Sequence, residues 1–165
     1  MRQPLRITLA TLAMMALASV NGAATERTPA PDFTLKSATG ENIKLSELRG
    51  QVVMINFWAS WCGPCRQEMP LLDEIHARYS PMGFTMLGVN VEEDSAKAKA
   101  LLKDLPVDFP ILFDQKNQVS KDYDVIAMPS TVLVDRDGNI RYIHRGYKPG
   151  DENAYQDMIR TVIVE

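Results

Sequence analysis

Val52-Val53-Met54-Ile55-Asn56-Phe57-Trp58, continuing into Ala59-Ser60-Trp61-Cys62-Gly63-Pro64-Cys65, is the stretch on which the reading of this chain turns. Its first seven residues are apolar apart from Asn56. A near-continuous apolar run of that length suits a strand covered on both faces, as in a parallel or mixed sheet. From Gly63 to Tyr79 the spacing turns helical, with Leu71, Leu72, Ile75 and Tyr79 on one stripe and Pro70 expected to kink it. The chain's only two cysteines therefore stand where a buried strand gives way to a helix.

That position gives the pair its chemistry. At the N-cap side of a helix, the sulfur of Cys62 faces unpaired backbone amides and the positive end of the helix dipole, which favour a thiolate over a thiol. Cys65 follows after just under one turn, deeper but close enough to close a disulfide. The arrangement predicts a two-step exchange: Cys62 attacks a disulfide to form a mixed disulfide, and Cys65 resolves it. Pro64 fills an early helical position where a missing N–H costs nothing, and Gly63 leaves room for a partner's approach. A static disulfide across so short a loop would add little stability, and a structural zinc site would need further clustered Cys or His ligands.

Outward from this centre, Phe33-Thr34-Leu35 and Ile43-Lys44-Leu45 flank the turn residues Ala38 to Asn42, a hairpin signal, and Ser46 opens a short helical turn ending at Gly50. Phe84 to Val91 reads as a second apolar strand. Asp94 is an N-cap candidate for a helix whose Ala98, Leu101, Leu102 and Leu105 share a face. Ile111 to Phe113 is a short strand, and Lys116 to Tyr123 a short helix. Thr131 to Val134 and Ile140 to Ile143 make an antiparallel hairpin, and a helix from Asp151 buries Tyr155, Met158, Ile159 and Val162. The expected class is α/β: one domain, residues 32–165, with a mixed central sheet and helices on both faces.

Before that domain, Arg2 and Arg6 precede an uncharged stretch from Ile7 to Val20 and the small residues Gly22, Ala23 and Ala24. Residues 1–24 have the layout of a secretory signal peptide, with retention as a membrane tether the alternative. Residues 25–31, polar and proline-containing, read as a linker. Without Arg2 and Arg6, 16 basic face 21 acidic side chains, a net charge of −5 that argues against nucleic acid as a partner.

Phe57-Trp58-Ala59-Ser60-Trp61-Cys62-Gly63-Pro64-Cys65-Arg66 resembles the active-site segment of the thioredoxin superfamily, and the likeness extends to Pro70 and to Met128-Pro129-Ser130-Thr131, similar to the family's cis-proline loop. The resemblance implies a thioredoxin fold. Pro129 is then expected beside Cys62, with Trp61, Gly63, Pro64, Met128 and Pro129 contacting substrate. The leader, the N-terminal β-hairpin and an inserted strand-helix element between Pro106 and Tyr123 resemble the TlpA/ResA/CcmG branch. So do Asn56, where cytosolic thioredoxins carry a buried aspartate, and Glu68, three residues past Cys65. Asn56 and Trp58 are assigned structural support. Because an amide cannot accept a proton from Cys65, Glu68 is expected to raise the thiol pKa by its charge and to serve as proton acceptor.

By the same resemblance, the protein is a monomeric periplasmic reductant of client disulfides such as those of apocytochrome c. It takes electrons from a membrane thiol-transfer protein of the DsbD or CcdA type and needs no cofactor beyond the redox-active cysteine pair and no metal. Three rivals use the same residues. A peroxiredoxin would need a threonine where Ala59 stands, and a Cu(I)-handling module would use both sulfurs as soft ligands. An oxidising, DsbA-like catalyst would differ in potential. His76 and His144 read as surface residues, and Glu92, Glu93 and Asp94 as a helix-capping acidic cluster.

Overall fold

The computed structural model describes residues 27–165, so the predicted leader lies outside the described residues. Its strands are β1 (Thr28–Pro29), β2 (Thr34–Ser37), β3 (Asn42–Lys44), β4 (Val52–Trp58), β5 (Phe84–Asn90), β6 (Ile111–Phe113), β7 (Ser130–Val134) and β8 (Asn139–Arg145). The helices are α1 (Gly63–Tyr79), α2 (Ala96–Asp104), α3 (Gln118–Asp122) and α4 (Asp151–Ile163), and a 3-10 turn spans Leu45–Leu48. The strands form one sheet in the order β1-β8-β7-β4-β5-β6-β2-β3. β4, β5 and β6 are parallel, and the other pairings are antiparallel.

β4 is buried at all seven positions because it sits mid-sheet with a core on each side. Alternation along the strand sends Val52, Met54 and Trp58 into the cluster with Leu72, Ile75, Tyr155 and Ile159, while Val53, Ile55 and Phe57 join Phe33, Val119 and Tyr123 on the other face. Each large aliphatic side chain fully covered in this way contributes about 1.5–3 kcal/mol. Asn56 falls in step with Met54 and Trp58, so parity alone aims its amide at the face where α1 and α4 pack.

The structure adjusts several expectations. Thr28–Pro29, inside the stretch read as linker, pairs with Asn139 and Ile140 as an edge strand, because backbone hydrogen bonding needs no apolar pattern. On α1 the inward residues are Cys65, Glu68, Met69, Leu72, Ile75 and Tyr79, whereas Leu71 is half-buried; the helix presents its 69–72–75–79 ridge to the sheet. The N-cap of α2 is Ser95, and Asp94 instead accepts the N–H of Ala96 at 2.9 Å. α3 begins over the buried carboxylate of Asp114, which accepts the N–H groups of Gln118, Val119 and Ser120 at 3.1, 3.3 and 2.7 Å.

Candidate active site

Cys62 is the N-cap of α1, with extended backbone (φ −83°, ψ 107°) and Pro64 in the first turn. The N–H of Cys65 donates to Cys62 Sγ at 3.2 Å. This is one of the helix-end donors that no carbonyl can satisfy, and it stabilises charge on that sulfur once the disulfide is opened. The two cysteines are joined in a disulfide with Cα atoms 5.3 Å apart. Cys65 is fully covered and Cys62 nearly so, whereas the neighbouring Trp61 is 69% exposed. Trp58 is wholly buried, so the two tryptophans divide into one packing residue and one surface residue.

One turn along α1 from the pair lies a polar group enclosed by the core. Glu68, one turn past Cys65, has no exposed surface, and its Oε2 accepts the Asn56 amide at 3.0 Å. The same Asn56 nitrogen donates to the Thr131 hydroxyl at 2.9 Å, directly across the β4–β7 ladder. Tyr155 from α4 faces this carboxylate and the Thr131 hydroxyl, but neither Tyr155 Oη nor Glu68 Oε1 completes a hydrogen bond among the described residues. Burial pushes the Glu68 carboxyl up to about 7, against the opposing pull of its donor Asn56 and with a smaller push from the charge of Asp151. A carboxyl poised there exchanges its proton near neutrality.

The Met128–Pro129 bond is cis. Ser130 pairs with Phe57, so Pro129 lies at the end of the sheet where β4 delivers Ala59 to Cys62. The Pro129 carbonyl accepts the Gly146 N–H at 2.7 Å, and Met128 packs on the apolar cluster that includes both cysteines. Gly63 is half-buried and Pro64 exposed at the same end. The predicted site residues thus converge on one edge of the molecule.

Sequence reasoning overlooked several others. Glu92, read as part of a capping cluster, instead reaches the active-site loop, accepting the Ser60 N–H at 2.7 Å and the Ser60 hydroxyl at 2.8 Å. Asn90 steadies it with a third donor at 2.9 Å. Burial alone would raise the Glu92 pKa, but these donors outweigh it and hold the carboxyl below its ordinary range. The available signal was its position just past the C-terminal end of a strand parallel to the one carrying the cysteines. His144 is half-buried, with Nε2 3.0 Å from Asp151 Oδ2 and its ring edge-on to Tyr155, and His76 is half-buried against Phe109. Neither is the plain surface residue expected.

A family model described as Redoxin matches residues 25–159. This chain belongs to the Redoxin family. The thiol-disulfide oxidoreductase ResA of Geobacillus kaustophilus (strain HTA426) is 38% identical over 117 residues, covering 71% of this chain and 67% of that protein. The thioredoxin-like protein YneN of Bacillus subtilis (strain 168) is 38% identical over 120 residues, 71% of this chain and 69% of YneN. A crystal structure of a Chlorobium tepidum protein assigned as thiol:disulfide interchange protein DsbE superposes with a TM-score of 0.80 at 39% identity, covering 83% of this chain and 96% of that one. The chain is a thioredoxin-superfamily thiol:disulfide oxidoreductase of the TlpA/ResA/CcmG type, with the expected fold. Among the described residues no helix is long and apolar enough to cross a membrane, and no three Cys, His, Asp or Glu side chains gather as a metal-holding group.

Proposed function

We propose that the protein acts outside the cytoplasm as a reductant of specific protein disulfides, with Cys62 as nucleophile, Cys65 as resolving thiol and Glu68 as proton acceptor for Cys65. One observation carries the assignment of roles: Cys62 Sγ receives the Cys65 N–H at the mouth of α1, while Cys65 is buried one turn before Glu68, itself buried and bonded to Asn56. In the reaction, the Cys62 thiolate bonds to one sulfur of a client disulfide and expels the other as a thiolate. Cys65 then gives its proton to the Glu68 carboxylate, bonds to Cys62 and releases the second client sulfur. Two electrons pass to the client, and the protein is left as the disulfide seen here.

An extended client segment would lie across the exposed Trp61 and Pro64 and the half-buried Gly63 and Met128, with the buried Pro129 offering backbone rather than side-chain surface. On the resemblance to the TlpA/ResA/CcmG branch, the client in this proposal is apocytochrome c, the electron donor a DsbD- or CcdA-type membrane protein and the compartment the periplasm. The decisive experiment is a trap. Cys65→Ser cannot resolve the mixed disulfide and accumulates clients covalently bound through Cys62. Recovery of cytochrome precursors is the expected result, and their absence from the trapped set would remove the maturation role while leaving the exchange chemistry intact. A redox titration tests direction, since a strongly oxidising potential would assign the protein to client oxidation instead.

A further inference from the structure

Two polar atoms in the α1–α4 core have no partner among the described residues although both are enclosed: Glu68 Oε1 and Tyr155 Oη. Both residues are wholly buried, and Tyr155 comes from α4 to face both the carboxylate and the Thr131 hydroxyl. An enclosed hydroxyl with no acceptor forgoes a hydrogen bond at a cost of about 1–3 kcal/mol, and an enclosed carboxylate with an open lone pair costs more. Each would relieve the other. From this geometry we infer that Tyr155 sets the acidity of Glu68: when Glu68 is ionised the Tyr155 hydroxyl donates to Oε1, and when Glu68 is protonated that bond is not required.

The inference rests on Glu68 serving Cys65 as proposed above and adds a positioning residue to that step. Every neighbour of the carboxyl has a defined sense. From β4, Asn56 donates to Oε2 in both states, and from β7 the Thr131 hydroxyl accepts from Asn56. From α4, Asp151 lies within electrostatic range and opposes ionisation; its own carboxylate is held by His144 and the Lys148 N–H. Tyr147, in the loop before α4, is close enough for the Glu68 charge to oppose its ionisation. Cys65 occupies the preceding turn of α1. Tyr155 is therefore the neutral donor available to the second carboxylate oxygen. Burial and the neighbouring Glu68 raise the phenol's own pKa, so it stays protonated throughout. It moves no proton; it lowers the cost of Glu68 holding a negative charge while Cys65 surrenders its proton.

The test uses Tyr155→Phe, which keeps the packed ring and removes only the hydroxyl. In the oxidised protein, where neither cysteine titrates, the side-chain carboxyl carbon of 13C-labelled Glu68 is followed by NMR, with Glu68→Gln to assign the signal. The midpoint is expected to rise by about one pH unit in Tyr155→Phe, the shift a lost hydrogen bond to a charged group of roughly 1.5 kcal/mol would give. The pH profile of Cys65-dependent release of an aromatic thiolate from a mixed disulfide on Cys62 is expected to move by the same amount. It should not move further when Tyr155→Phe is added to Glu68→Gln. An unmoved Glu68 midpoint would overturn the role of Tyr155. A profile indifferent to Glu68→Gln would overturn the reading beneath it, and a Tyr155→Phe effect that persists in the Glu68→Gln background would show that the hydroxyl acts only on packing.

Discussion

Glu92 and Ser60 are clamped together at the rim of the active site, the carboxylate of one taking both the backbone N–H (2.7 Å) and the hydroxyl (2.8 Å) of the other. The contact joins the segment after β5 to the loop between Trp58 and Cys62. The angle at which Cys62 enters α1 therefore depends on a residue about thirty positions later in the chain. Glu92→Ala should cost roughly 1.5–3 kcal/mol, the usual worth of a hydrogen bond to an ionised group, and should slow alkylation of Cys62 in the reduced protein. Ser60→Ala should show a smaller loss, because the N–H contact remains. Because the Glu92 pKa is depressed in the folded state, its contribution is fully present above the ordinary value near 4.5 and is lost as pH falls through the lower, folded value. Urea midpoints at about pH 3 and pH 7 should therefore differ less in Glu92→Gln than in the parent.

The opposite sign holds at Glu68. Its pKa is raised to about 7, so the folded state favours the protonated acid. That contribution is fully present below about pH 4.5 and is lost as pH rises through 7. A shift of this size corresponds to about 3 kcal/mol. Glu68→Gln, neutral at every pH, should flatten the stability profile between these limits and unfold at higher urea than the parent at about pH 8. Equal pH dependence in the two proteins would place the Glu68 carboxyl in contact with solvent.

These two acids illustrate what a linear reading captures. The strand, the Cys62–Cys65 pair and the helix after it are contiguous, and their periodicities are local, so their order and the site they build were legible in residues 52–79. Glu68 was legible only through resemblance, since a glutamate on a helix ordinarily faces water. Tyr155 was recognisable as a core residue by its spacing, but its meeting with Glu68 is set by how α4 crosses α1, which no local pattern encodes. The same holds for Glu92 and Ser60. β1 escaped notice because an edge strand held by backbone bonds to Asn139 and Ile140 needs no particular side chains. Leu71 and Met69 exchanged places because two apolar residues close together satisfy a helical stripe equally well until the sheet selects one.

Gly88 on β5, paired with Asn56, shows how closely the floor of the site is packed. A Cβ built there would lie 2.7 Å from Ile111 Cδ1, 2.8 Å from Phe109 Cε2 and 3.3 Å from Trp58 Nε1. These neighbours are themselves buried and cannot withdraw freely. Gly88→Ala should therefore destabilise the fold by about 1–3 kcal/mol through overpacking, and the displaced indole should change the fluorescence of Trp58. Unchanged stability would mean that Ile111 and Phe109 have slack that close packing denies them.

Trp61 supplies the counterpart at the surface. Because it is 69% exposed beside a nearly buried sulfur, it contributes little to the folded core, so Trp61→Ala should leave the thermal midpoint almost unmoved. A polypeptide lying across the Cys62 rim covers more of the apolar face of Trp61 than a small disulfide can. The substitution should therefore raise KM for a protein disulfide several-fold, an aromatic contact being worth about 1 kcal/mol, while the rate with a small aromatic disulfide stays within about twofold. Parallel loss on both substrates would show that Trp61 acts on the reactivity of Cys62 itself, and the client surface would then have to be sought around Met128 and Pro129.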